Sequence, residues 1–309
     1  MKKSVILLAA GLLSLFAVSS VAAQLRTPRE SQKASLMQTI GVTDVTIVYS
    51  RPATKGRTIW GDPPATAAKG TATLDDGRSR PKDTPIVPYG HVWRTGANEA
   101  TTFTVTDDVL INGQKLPAGT YSLHTIPGKD EWTIIFNSDA GQWGSFTYDE
   151  KKDVLRVKAK PEAAPMQEIL LIAIADTKAN AARFAIHWEK IAVPFTVSIA
   201  DVNALVVSKA RATVAAAKAD DWRTPMQAAG YCLQNKLNTE EAWGWLEKSI
   251  TIKETYQNLG LKARSYAALG KTTDAIAAGE KAVMVGKAAD AKLDTSAMDK
   301  LIAEWKAKK

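Results

Sequence analysis

The chain has 309 residues, 45% of them hydrophobic and 23% charged, with 19 Gly and 13 Pro. That composition excludes a collagen-like, coiled-coil or disordered chain and gives room for two folded units. The net charge of +8 is scattered through Arg51, Lys55, Arg57, Arg78, Arg80, Lys82 and the C-terminal part without a block of like charge, so nucleic acid is not an expected partner.

Met1-Lys2-Lys3 is a basic start, Val5 to Val18 is an apolar run too short for an ordinary membrane span, and Val21-Ala22-Ala23 supplies the small residues that signal peptidase needs. Residues 1–23 therefore read as a secretory signal cleaved after Ala23. The mature chain, relieved of Lys2 and Lys3, is expected to be periplasmic or secreted, with no stable membrane insertion. The single cysteine, Cys232, excludes an internal disulfide and a cysteine-rich zinc site, so stability must come from buried core.

From about residue 36 to 199 the apolar residues recur with period two. Val45, Ile47 and Tyr49 alternate with Thr46 and Val48, Phe103 and Val105 with Thr102 and Thr104, and Phe184, Ile186 and Trp188 with Arg183 and Ala185. Such strands bury one face. Asn112-Gly113 tolerates positive φ at both central positions of a type I′ turn and predicts a tight hairpin; Pro127-Gly128-Lys129-Asp130 predicts a second. Eight or nine strands of five to nine residues, joined by short turns, predict an antiparallel, jelly-roll-like all-β sandwich over residues 24–199. Ile169 to Ala175 is apolar at every position and is expected in the middle of a sheet. Residues 62–83 break the pattern with Pro63-Pro64, Gly70 and Asp75-Asp76-Gly77, and read as a disordered insertion.

After Pro194 and a short strand over Phe195 to Ile199 the pattern becomes helical over residues 200–309. Gly230, Ala242 and Ser249 are followed 33 positions later by Ala263, Ala275 and Ala282, which is the signature of repeated helical hairpins. The stretch from Tyr256 to Gly270 with Asp274-Ala275-Ile276 and Ala282 resembles a tetratricopeptide (TPR) repeat. Two TPR-like hairpins are predicted, preceded by a helix over 202–218 and followed by a capping helix over 295–307. Two repeats fall short of a free-standing solenoid, so the helices must lean on the sandwich or on a partner.

Val87-Pro88-Tyr89-Gly90, the string Val92-Trp93-Arg94-Thr95-Gly96-Ala97-Asn98-Glu99-Ala100-Thr101, Leu116-Pro117-Ala118-Gly119-Thr120-Tyr121 and Ile126-Pro127-Gly128, with Ser50-Arg51-Pro52 and Lys55-Gly56-Arg57 before them, resemble the domain-of-unknown-function 2911 family. The likeness covers about residues 31–175. It implies an exported protein of the kind found in Bacteroidetes, and it lends neither a reaction nor catalytic residues. The family pattern passes almost directly from Lys-Gly-Arg to Val-Pro-Tyr-Gly, which makes the insertion peripheral.

Arg94, Thr95, Asn98 and Glu99 concentrate hydrogen-bonding side chains around Gly96, as a site for a small polar ligand would. The same residues could build a structural loop in which Arg94 pairs with Glu99 or another carboxylate and Asn98 caps the turn. His124 shares its strand face with Ser122 and Ile126; beside Glu99 it would form an acid/base pair, and with His91 a weak metal set. Gly141-Gln142-Trp143-Gly144 offers Trp143 on a loop, where it could stack on a glycan. No Gly-x-Ser-x-Gly elbow, phosphate loop, dinucleotide fingerprint or EF-hand is present, so no cofactor is expected. The leading expectation is a non-enzymatic module that binds a ligand or a protein, with a helical extension for docking to a protein partner. The alternative is an envelope hydrolase using Glu99 and His124, with or without a metal.

Overall fold

The computed structural model describes residues 27–62 and 84–308. The signal sequence expected at 1–23 and nearly all of the expected insertion at 62–83 lie outside the described residues.

Alternation in β1 (Gln32–Ile40) and β2 (Thr43–Arg51) drives their pairing: Val45, Ile47 and Tyr49 are buried while Thr46 and Val48 face outward. Gly41, at φ 60°, makes the reversal between them. The remaining strands are β3 (Trp60–Gly61), β4 (Val87–Pro88), β5 (Thr101–Val105), β6 (Val109–Ile111), β7 (Gln114–Leu116), β8 (Gly119–Ile126), β9 (Trp132–Asn137), β10 (Asp153–Ala159), β11 (Glu162–Lys178) and β12 (Ala181–Ser198). A six-stranded antiparallel sheet runs β1-β2-β5-β8-β9-β10 and a four-stranded one runs β11-β12-β6-β7. They enclose one apolar core built from Ile47, Phe103, Leu123 and Phe136 of the first sheet and Ile172, Phe184, Phe195 and Val197 of the second. The Asn112-Gly113 turn joins β6 to β7 as expected, with φ 47° and 85°.

The expected count of eight or nine strands of five to nine residues is too low because β3, β4, β6 and β7 have only two or three residues each, whereas β12 joins two stretches expected as separate strands. It runs on through Pro194, which falls between the β12 residues paired with β11, ending at Ala192, and those paired with β6, beginning at Val197. A proline there removes no ladder hydrogen bond. The expectation of a central strand over Ile169 to Ala175 is also corrected. β11 lies at the edge of its sheet, with Leu170 and Ile172 buried and Ile169 exposed. Its free edge is closed locally by the chain after β2, where Thr54 N donates to Glu168 O at 2.8 Å and Leu170 N to Pro52 O at 2.9 Å.

Six helices follow: α1 (Val202–Ala216), α2 (Arg223–Gln234), α3 (Thr239–Ile252), α4 (Tyr256–Ala268), α5 (Thr272–Ala289) and α6 (Ser296–Ala307). Ala242, Ser249, Ala263, Ala275 and Ala282 are all fully buried, so the small residues at the 33-residue period lie where paired helices approach. Cys232 is buried in the α1–α2–α3 core as a small hydrophobe. The chain reverses between α4 and α5 at Gly270, φ 73°; between α2 and α3, where no glycine stands, Lys236 and Asn238 adopt φ 56° and 40°. α1 leans on the sandwich through Val202 and Leu205, and Lys209 pairs with Asp107 at 2.7 Å. No helix among the described residues is long and apolar enough to cross a membrane.

Candidate functional site

The site grows from the tryptophans of the sandwich. Trp60, Trp93, Trp132 and Trp188 meet in one cluster, with Trp60 edge-on to Trp132 at 5.0 Å and Trp93 stacked on Trp188 at 5.7 Å. Each such pair is worth about 0.5–1.5 kcal/mol beyond its burial, so the cluster is a rigid floor. The Trp93 indole N–H donates to Gly96 O at 3.0 Å, which clamps the polar string onto that floor.

The string is held at almost every residue. Ala97 N donates to Ser50 O, Thr101 N to Arg94 O, and Gly144 N to Asn98 O. Thr101 Oγ1 donates to Thr95 O at 2.8 Å and Arg94 Nη1 to Asn98 O at 3.0 Å. Thr95 and Asn98 both have left-handed backbones, at φ 55° and 59°. For a β-branched residue this is strained, and it persists because Thr95 Oγ1 lies 3.1 Å from Thr125 Oγ1 in a fully buried setting. Gly96 cannot be larger: a Cβ would come within 2.9 Å of Ser50 O.

One side of this string borders a cleft of about 320 Å³. Trp93 and Trp188, both almost completely buried, contribute to its lining together with Arg94, Lys55, Arg57 and Glu30. Arg57 is fixed by donating Nε to Thr54 O at 3.0 Å and Nη2 to Ala53 O at 2.7 Å, and it forms no ion pair among the described residues. Lys55 pairs with Glu30 and, with Arg57 adding to the effect, holds that carboxyl below its ordinary range. Lys55, Arg57 and Arg94 outnumber the Glu30 carboxylate among the lining residues, and Glu168, which accepts from Lys55 N at 2.8 Å, is a second acid close by. Sequence reasoning named Arg94 but passed over Lys55 and Arg57 as site residues. The signal was present in Lys55-Gly56-Arg57, but nothing local says that this segment folds beside one some 40 positions further on.

The other residues singled out from the sequence fall elsewhere. Glu99 turns away from the cleft to Arg29, 2.7 Å away, which lowers its pKa; it is not the partner of Arg94. Asn98 Nδ2 donates to Ser31 O at 3.2 Å. His124 is fully buried, with Nδ1 3.4 Å from Ser145 Oγ and Tyr148 packed on its ring at 5.1 Å. Burial above all, with the positive charge of Arg94, takes its pKa down to about 4 against the opposing pull of Asp153 and Asp139. The acid/base pairing of Glu99 with His124 is therefore not made, since each side chain is engaged with different groups. Nor do His91, His124 and Glu99 gather: among the described residues no three His, Cys, Asp or Glu side chains group to hold a metal. His91 is buried as well. Trp143 is 54% exposed, as its loop suggested, with Phe146 three positions on at 51% and the Arg29 guanidinium 6.0 Å from the Trp143 ring.

No curated protein and no solved structure resembles the chain closely enough to count as a match. The family described as protein of unknown function (DUF2911) matches residues 31–197, more than half of the chain, and the protein belongs to that family.

Proposed function

We propose that the protein is an exported binding module whose sandwich takes up a small anionic ligand in the cleft between residues 52–57 and 93–97, and whose helices dock it to other envelope components. The observation that carries this reading is the cleft itself: Arg57, oriented by two carbonyl groups and with no ion pair among the described residues, lines it together with Lys55, Arg94, Trp93 and Trp188. Guanidinium groups held in place recognise carboxylate, phosphate or sulfate at little ordering cost. Export is supported by the N-terminal pattern of residues 1–23.

Binding is favoured over hydrolysis because Glu99 is paired with Arg29 and His124 is buried away from solvent, its Nδ1 3.4 Å from Ser145 Oγ and its Nε2 without a hydrogen-bond partner among the described residues. The test is native mass spectrometry of the chain purified from its own host, compared with the denatured chain. The reading expects an acidic small molecule that the Lys55→Ala/Arg57→Ala double variant no longer retains. A neutral or cationic ligand, or equal retention by the variant, would refute it.

A further inference from the structure

The helical half contains a second pocket of about 430 Å³, at the joint where α2 turns into α3 and α4 crosses them. Its walls are Leu233, Trp243, Leu261 and Leu269, and no acidic residue lines it. Leu269 is 54% exposed and Trp243 half-buried against Tyr266 at 5.0 Å, so apolar surface is left in water. Two cations, Arg264 and Lys236, stand among the lining residues, and neither has an ion-pair partner among the described residues. Elsewhere in the helices Arg211 pairs with Glu241, Lys262 with Glu247, Lys281 with Glu254 and Lys306 with Glu280.

We infer that this pocket is a binding site for an amphiphile with a single apolar chain and an anionic head. The apolar walls take the chain, and Arg264 and Lys236 take the head. A strand-forming peptide is the poorer fit. The walls are helix flanks whose backbone groups are bonded within their own helices, so they present no edge for an extended main chain. The volume lies in the range of small-molecule sites. This site is independent of the sandwich cleft and does not rest on the reading of it.

The test is calorimetric titration of the full chain with octanoate, decanoate and dodecanoate below their micelle concentrations. Decyltrimethylammonium and an acidic peptide with one central Leu serve as comparators. The expected result is saturable one-site binding that tightens with chain length, approaching about fourfold per methylene until the pocket is full. The Arg264→Ala/Lys236→Ala variant should weaken binding by about tenfold or more. Leu269→Asp, at an exposed position that the fold tolerates, should do the same with an unchanged circular dichroism spectrum. The Lys55→Ala/Arg57→Ala variant should bind as the parent does. Absence of saturable binding, equal affinity for the cationic amphiphile, indifference to both pocket variants, loss in the sandwich variant, or uptake of the peptide in place of the carboxylates would each overturn the proposal.

Discussion

His124 shows what a single buried side chain does to the whole molecule. The unfolded chain takes up a proton at this residue near the ordinary value of 6.5, whereas the folded chain refuses it until about pH 4. Stability is therefore complete above 6.5 and falls as pH drops towards 4, by roughly 3 kcal/mol in all. Urea unfolding measured between pH 5 and 7, above the range where most carboxylates titrate, should show this loss, and His124→Gln should flatten it. A parent slope equal to that of the variant would mean the ring is solvated. Gly96 makes a second prediction at the same scale. Its replacement by Ala puts a Cβ against Ser50 O and Thr101 Oγ1, which should cost about 1–3 kcal/mol in denaturant unfolding and shift the string that borders the cleft. The density of hydrogen-bonding types around Gly96 was legible in the sequence. The partners were not, because Arg29 reaches Glu99 across 70 positions and Ser50 reaches Ala97 across nearly 50.

Elements whose signals are local could be read directly. Asn112-Gly113 forms its turn, and the 33-residue spacing of small residues forms the α2–α3 and α4–α5 hairpins with the flanking helices α1 and α6. β11 was misplaced because an unbroken apolar run looks the same at a sheet centre as at an edge that chain after β2 partly covers. α6 depends on another small residue, Gly279 of α5, where a Cβ would lie 2.9 Å from Ile302. Gly279→Val should lift α6 from its seat, destabilising the helical half by roughly 1–3 kcal/mol. In hydrogen exchange the amides of α6 should lose protection first, while β5 and β8 keep theirs; uniform loss across the chain would show that helices and sandwich unfold as one unit.

On the scale of the whole molecule, the sandwich core and the helical cores are separate clusters, and α1 is the part that touches both. Val202 and Leu205 pack on the sandwich while Val207 packs among the helices, and Lys209 reaches Asp107. Val202→Ala/Leu205→Ala should therefore loosen the joint and raise the rate of proteolytic cutting near residue 200 without lowering the melting temperature of the sandwich by more than a few degrees. The two-part architecture and the boundary near 200 were legible because hydrophobic periodicity changes from two to about 3.6 there. The cleft was not, because it assembles Glu30-Ser31, the segment from Pro52 to Arg57, Ile86 with the polar string, and Trp188 of β12 from four separate stretches of chain.

That assembly is the central claim, and calorimetric titration of the parent chain and the Lys55→Ala/Arg57→Ala variant with a panel of small carboxylates, phosphates and sulfated sugars tests it most directly. The account predicts saturable binding of at least one anion at a single site, weakened by about tenfold or more in the variant and by added salt. Binding of equal strength in the variant, or no binding by a folded parent chain across all three classes of anion, would contradict it.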